Sequence, residues 1–133
     1  MQRHPALHKL SSDHHSGLVL ARKARAAARG GRDAQLAAWA LVVARFDAEL
    51  QPHFEREEAG LLPAMQSAGE TVLVERTLRE HAAMRGLLGE GRAENLERFA
   101  DLLTKHIRFE EKELFERAQR VLDPGTLEGL ARE

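Results

Sequence analysis

The sequence predicts an all-α protein: an antiparallel up-down-up-down four-helix bundle followed by a short C-terminal helical turn. Three observations predict it. Alanine, leucine, glutamate and arginine, all strong helix formers, dominate the 133 residues, and β-branched residues are few. Apolar residues recur at spacings of three and four in four separate stretches. Glycine or proline breaks the chain between those stretches, and connections that short make consecutive helices antiparallel neighbours.

The first helix is expected from about Ser12 to Arg29, with Ser11, Ser12 and Asp13 as cap candidates and Gly30-Gly31 closing it. Its stripe reads Leu7, Leu10, His14, Leu18, Ala21 and Ala24 or Ala28. The second starts after Asp33 as N-cap and runs to about Glu58, with Trp39, Val42 or Val43, Phe46, Leu50, His53 and Glu57 on one face. Gly60 and Pro63 are expected to end or kink it. The third covers about Glu70 to Leu88 and presents Val74, Leu78, His81, Met84 and Leu88, before "GEGR" (89–92) breaks the chain. The fourth spans about Glu94 to Val121, with Phe99, Leu102 or Leu103, His106, Glu110 and Leu114 facing inward. "DPG" (123–125) signals a turn, and "TLEGLARE" adds one helical turn. By length this is a single domain, 1–133, with its core from about 10 to 118.

Composition removes several function classes. Hydrophobic residues make up 43% and charged residues 31%, as in globular proteins and unlike disordered ones. A formal net charge of -1 supplies no basic surface for nucleic acid or an anionic membrane. With no cysteine there is no disulfide, thiolate metal site or cysteine nucleophile. No apolar run approaches the roughly 18 residues of a membrane span, and "MQRHPALHKL" lacks the apolar stretch of a signal peptide. The expected address is cytoplasmic.

The chemistry lies in two matched hexapeptides. "HFEREE" (53–58) and "HIRFEE" (106–111) each place glutamate at +4 and +5 from a histidine, then Leu61 or Leu114 at +8 and Leu62 or Phe115 at +9. Residues four apart share a helix face, so His53 and Glu57 point the same way, as do His106 and Glu110. His14 and His81 give the other two helices one histidine each in the core-facing stripe. For a single pair, a histidine satisfied in the core beside a solvated glutamate is the better reading. With 16 glutamates in the chain the doubled "EE" alone would be weak; doubled together with the histidine and apolar positions it points to metal. Four imidazoles and two carboxylates in one core are costly to desolvate, and a first-row transition metal compensates because both groups ligate it.

In "SSDHHSGLVLA", "HFEREEAGLLP", "REHAAM" and "HIRFEEKELF" the chain, from about Leu10 to Ala118, resembles the hemerythrin-like, or HHE cation-binding, domains. The resemblance implies a four-helix bundle around a carboxylate-bridged di-iron centre. It makes His14, His53, His81 and His106 terminal ligands and Glu57 and Glu110 bridges, with "DH" (13–14) answering "EH" (80–81) as an internal duplication. His15 is the alternative to His14, although His14 fits the stripe and aligns with His81. Glu58 and Glu111 are the alternatives to Glu57 and Glu110, since oxygen-carrying hemerythrins use an aspartate at +5 from the last histidine. If they are not bridges, these +5 glutamates stand behind the ligands or at the surface.

The chain departs from the oxygen carriers at their fifth histidine. Four residues after His81 stands Arg85, and four before it Thr77. Two six-coordinate irons offer about twelve positions, of which the four histidines, two bridging carboxylates and a shared oxo or hydroxo oxygen fill about ten. A more labile, more reactive centre is expected, with Arg85 as a surface charge or a guide for an anion or peroxide. His4 and His8 are read as exposed, and Trp39, Met84 and Phe99 as core.

These observations support a non-haem di-iron protein that binds, senses or detoxifies O₂, NO or peroxide. The alternative is storage or handling of iron, zinc or manganese without redox turnover. A third class, a metal-free helical interaction module, would melt identically with or without chelator. No tyrosine is available for a radical, no glutamate precedes a histidine by three, and no His-Glu-x-x-His occurs, so ferritin-type oxidase and zincin protease chemistry are not expected. A binding protein rather than an enzyme is expected, with weak peroxidase or oxidase activity compatible. The expected partners are a diatomic gas or peroxide, not nucleic acid or membrane, and the chain is monomer or homodimer. Imidazole must be neutral to coordinate, so metal binding is expected to weaken as pH drops through the histidine range.

Overall fold

A computed structural model of the chain describes residues 2–131. These residues are helical almost throughout, in five helices without a strand among them. A 3₁₀ turn, Pro5–Leu7, leads directly into α1 (His8–Ala28). Helix α2 runs over residues 32–67 and α3 over Thr71–Glu90. After a 3₁₀ turn at Ala93–Asn95, α4 covers residues 96–121, and α5 is Pro124–Ala131. No described helix is long and apolar enough to cross a membrane.

Helix α1 starts four residues earlier than its sequence signals suggest. His4 caps the preceding turn, its Nδ1 accepting the Ala6 N–H at 3.0 Å, and Pro5 sets the first helical dihedral. Winding therefore begins before Ser11, Ser12 and Asp13, which stand inside the helix and cap nothing. His4 is half-buried in this role rather than exposed, whereas His8 is exposed. Gly31 is the N-cap of α2, and Asp33 sits in its first turn, where a negative charge suits the helix dipole. Gly91, at φ 66°, closes α3 in the left-handed conformation that glycine adopts without penalty.

The second correction concerns the expected stop at Gly60 and Pro63. Helix α2 continues through both to Ser67 because two of its turns are wider than α-helical. At Phe46–Leu50 and Glu57–Leu61 the winding is π-helical, with Gln51 N–H bonded to the Phe46 carbonyl and Leu62 N–H to the Glu57 carbonyl. A proline in regular helix leaves the carbonyl four residues back unbonded and clashes with it. Pro52 and Pro63 each fall just after a wide turn, where the bonding register has shifted and the helix carries on. Helix α4 has a third such turn, Glu110–Leu114. Asp123 accepts the Thr126 N–H at 2.8 Å and Pro124 takes the first helical position, so "DPG" starts a two-turn helix rather than a bare turn.

Two apolar clusters form the core. Leu20, Trp39, Phe54, Met84, Phe99 and Leu103 belong to one, and Leu10, Leu61, Met65, Val74, Phe115 and Leu127 to the other. On each of α1 to α4 the buried histidine lies between residues of the two clusters, so a polar layer divides the core. The stripes are as expected except at the edges. Thr77 and Leu87 take inner positions on α3 and Leu78 is exposed; Leu103 is buried rather than Leu102, Val42 rather than Val43, and Leu18 is half-buried. Leu78 lies about 80° round the helix from the centre of the 74–77–81–84 row. Helix α1 packs most closely on Leu96–Phe109 of α4, and Gly17 makes that approach possible: a Cβ there would lie 2.8 Å from Ile107 Cδ1.

Phe99→Ala removes a fully buried ring from the first cluster. It should cost about 3–5 kcal/mol of unfolding free energy in urea, with metal content per folded chain unchanged.

Candidate metal centre

Six polar side chains fill the layer between the clusters: His14, His53, Glu57, His81, His106 and Glu110. All are buried, both glutamates completely. Helix α1 contributes one histidine and α3 one, while α2 and α4 contribute a histidine and a glutamate each. Both glutamates begin a π-helical turn, and their main-chain carbonyls accept the N–H five residues on.

Every Nε2 faces one or both of the two carboxylates. His14 Nε2 is 2.8 Å from Glu110 Oε1, and His81 Nε2 is 3.0 Å from Glu57 Oε1. His53 Nε2 lies between the two, 3.3 Å from Glu57 Oε2 and 3.5 Å from Glu110 Oε1. His106 Nε2 is 3.1 Å from Glu110 Oε2, but off the hydrogen-bond line, and both atoms remain unpartnered, as does Glu57 Oε2. Unsatisfied donors and acceptors in a dry core carry the full desolvation penalty, which a bound cation would remove.

Ligand atoms within 4.8 Å of one another define two groups, His14–His53–Glu57–Glu110 and Glu57–His81–His106–Glu110. Each holds two imidazoles and the same two carboxylates. This donor set fits a divalent transition metal in either group.

The Nδ1 atoms point outward onto carboxylates. His81 donates to Glu58 Oε2 at 2.7 Å, His106 to Glu80 Oε1 at 2.7 Å, His53 to Asp13 Oδ2 at 3.1 Å and His14 to Glu111 Oε2 at 3.2 Å. The +5 glutamates thus stand behind histidines, outside both groups. Asp13 and Glu80 have the same relation, which sequence reasoning missed: Asp13 resembled a cap, and the one signal for Glu80 was its place in "EH". Arg85 donates to both oxygens of Glu58 at 2.7 and 3.1 Å and to Gln51 Oε1 at 3.0 Å, so it ties α3 to α2. His15 is exposed on the outer side of α1, away from the cluster. Two phenylalanines wall the layer: Phe54 stacks on His81 with centroids 3.9 Å apart, and Phe115 on His14 at 5.4 Å.

Charge follows from this geometry. Burial opposes protonation of His53, but the Glu57 carboxylate beside it and hydrogen bonds to Asp13 and Glu110 raise its pKa to about 12. His106 is likewise held up at about 10, against burial, chiefly by Glu110. His14 is raised, against burial, by its bonds to Glu110 and Glu111. Burial would raise Glu110, yet the imidazole of His106 and its hydrogen bonds hold it well below the carboxylate range. Asp13 falls to about 2 against its own burial, through His53 and Lys9. In the metal-free cluster His14, His53 and His106 thus favour the protonated form, and a cation must replace protons to enter it.

A helical protein whose core holds a histidine and glutamate cluster able to take a cation is the class that fold and site define. The sequence pattern of the Hemerythrin HHE cation binding domain matches residues 6–118, nearly the whole chain, and the chain belongs to that family. No curated protein and no solved structure matches it.

Metal uptake should release protons, measurable with a pH indicator in weakly buffered solution. Affinity should decline from alkaline pH downward, not only near 6.5, because His106 and His53 hold protons to about 10 and 12. Uptake without proton release would count against exchange at the imidazoles. For the metal-free chain, the raised histidines stabilise the fold fully below their unfolded pKa and lose that contribution as pH climbs through about 10 and 12. Asp13 stabilises above 3.8 and loses its contribution as pH falls through about 2. Urea midpoints against pH should fall at both ends.

Proposed function

We propose that this protein is a non-haem di-iron protein that binds, senses or detoxifies O₂, NO or peroxide. The observation that carries the reading is the overlap of the two donor groups: they differ in their histidines and share Glu57 and Glu110. Two cations side by side need carboxylates facing both, and Glu57 and Glu110 have that position. In this reading His14, His53, His81 and His106 are terminal ligands. Each cation then has four protein donors, two imidazoles and two carboxylate oxygens, and exchangeable positions remain on both. Iron, when bound, supplies exchange of electrons and of small ligands. The chain's residues fix the donors, exclude water and confine the ligand, with Phe54 and Phe115 as the apolar walls.

An up-down-up-down arrangement of α1 to α4 is part of the proposal. It is supported by the order in which each helix meets the two clusters. Leu10 precedes Leu20 on α1, Phe54 precedes Leu61 on α2, Val74 precedes Met84 on α3, and Leu103 precedes Phe115 on α4, so the direction alternates between clusters. Residence in the cytoplasm, favoured by the cysteine-free composition, and the absence of nucleic-acid partners, favoured by the charge of -1, belong to the same reading, and the monomer or homodimer state is proposed with them. The second reading is iron, zinc or manganese handling without turnover, which the same donors favour because imidazole and carboxylate bind several divalent ions.

Elemental analysis of freshly purified protein should find about two irons per chain, one for each donor group. Both should be lost in His53→Ala and Glu110→Ala, and a charge-transfer band in air should shift on adding azide. One zinc, or no metal with variants like the parent, would sink the di-iron reading and favour the handling role or a bare bundle.

A further inference from the structure

The four Nδ1 contacts form a closed pattern. Histidine on α1 is held by Glu111 of α4, that on α2 by Asp13 of α1, that on α3 by Glu58 of α2, and that on α4 by Glu80 of α3. Each helix thus receives one carboxylate from the helix before it, and the first receives from the last. The positions repeat as well. On α1 and α3 the carboxylate immediately precedes that helix's histidine, and on α2 and α4 it immediately follows the buried glutamate. We infer that Asp13, Glu58, Glu80 and Glu111 are positioning residues: each anchors one imidazole by its Nδ1–H so that all four Nε2 atoms face Glu57 and Glu110. The purpose given to this ring rests on the cation reading above, but the orientation of the imidazoles does not.

Two physical points support the ring. An imidazole on a helix can turn about its terminal torsion and present either nitrogen to the core. A carboxylate fixed on one side selects Nδ1–H there and leaves Nε2 inward, as partners behind metal-binding histidines commonly do. The carboxylates are themselves fixed from outside. Lys9 donates to Asp13 at 2.8 Å, Ser11 to Glu111 at 2.6 Å, Arg76 to Glu80 at 3.0 Å and Arg85 to both oxygens of Glu58. Each ring member therefore has one oxygen or lone pair committed outward and another committed to its histidine. A glutamate that served only to tie two helices would need no such second partner.

The test uses the full chain and Zn(II), a diamagnetic probe. Long-range ¹H–¹⁵N spectra of the metal-free and zinc-loaded parent should show four slowly exchanging Nδ1 protons. Glu80→Ala and Glu58→Ala should each abolish one of them, those of His106 and His81, and weaken zinc binding by about 10–100-fold. Glu80→Gln keeps an oxygen acceptor and should restore the proton signal and most of the affinity; it also carries the test if the alanine variant fails to fold. Alanine variants that melt lower but keep every Nδ1 proton and bind zinc like the parent would overturn the ring and leave its members as helix ties. A parent that takes up no metal, yet loses its Nδ1 protons one by one in the variants, would support the ring and remove the cation reading.

Discussion

Burial of two carboxylates in the middle of a helical core is the constraint on which the rest of this structure depends. Glu57 and Glu110 are fully inaccessible, and isolated ions in that setting would cost far more than the few kcal/mol by which a domain is stable. The sequence meets the cost in layers. Four imidazoles surround the carboxylates, four further carboxylates take the outward nitrogens, and cationic or hydroxyl groups at the surface satisfy those in turn. The apolar clusters above and below exclude water from the layer and keep it from collapsing onto solvent.

The helices are shaped by the same demand. A regular α-helix rotates each residue 100° from the last, and a glutamate four residues after a histidine is already about 40° off its line. The π-helical turns that open at Glu57 and Glu110 let each helix readjust immediately after its paired donors, so that Leu61 and Leu114 return to the core. In α2 the same widening makes room for prolines that a tight helix would reject. Gly17 serves the opposite need on α1, giving up a side chain so that the helix bearing His14 can lie close against α4.

How much of this was legible in the sequence depends on the range over which each signal acts. The helix-period stripes, the histidine in each and the His-x-x-x-Glu pairs are local, and their spacing alone brought the six polar residues together. Asp13 was hidden because a carboxylate near a helix start looks like a cap; only the earlier winding from Pro5 shows that it lies within the helix and reaches His53. Glu80 and the +5 glutamates act across helix boundaries, and a contact between two helices leaves no spacing to read along either. Leu78 was misplaced for a different reason: a stripe drawn through leucines passed over Thr77, whose hydroxyl is satisfied by the Leu73 carbonyl at 2.8 Å and so can be buried.

The two donor groups do not draw equally on the four helices. One takes its residues from α1, α2 and α4, the other from α2, α3 and α4. Helices α2 and α4 form a common spine, whereas α1 and α3 each complete a single half. Proteins open locally more often than globally. An excursion of α1 would remove His14 from one half while the other kept all its donors. The two halves of the layer therefore have separate weak points: opening α1 leaves every donor on α2, α3 and α4 in place, and opening α3 leaves those on α1, α2 and α4.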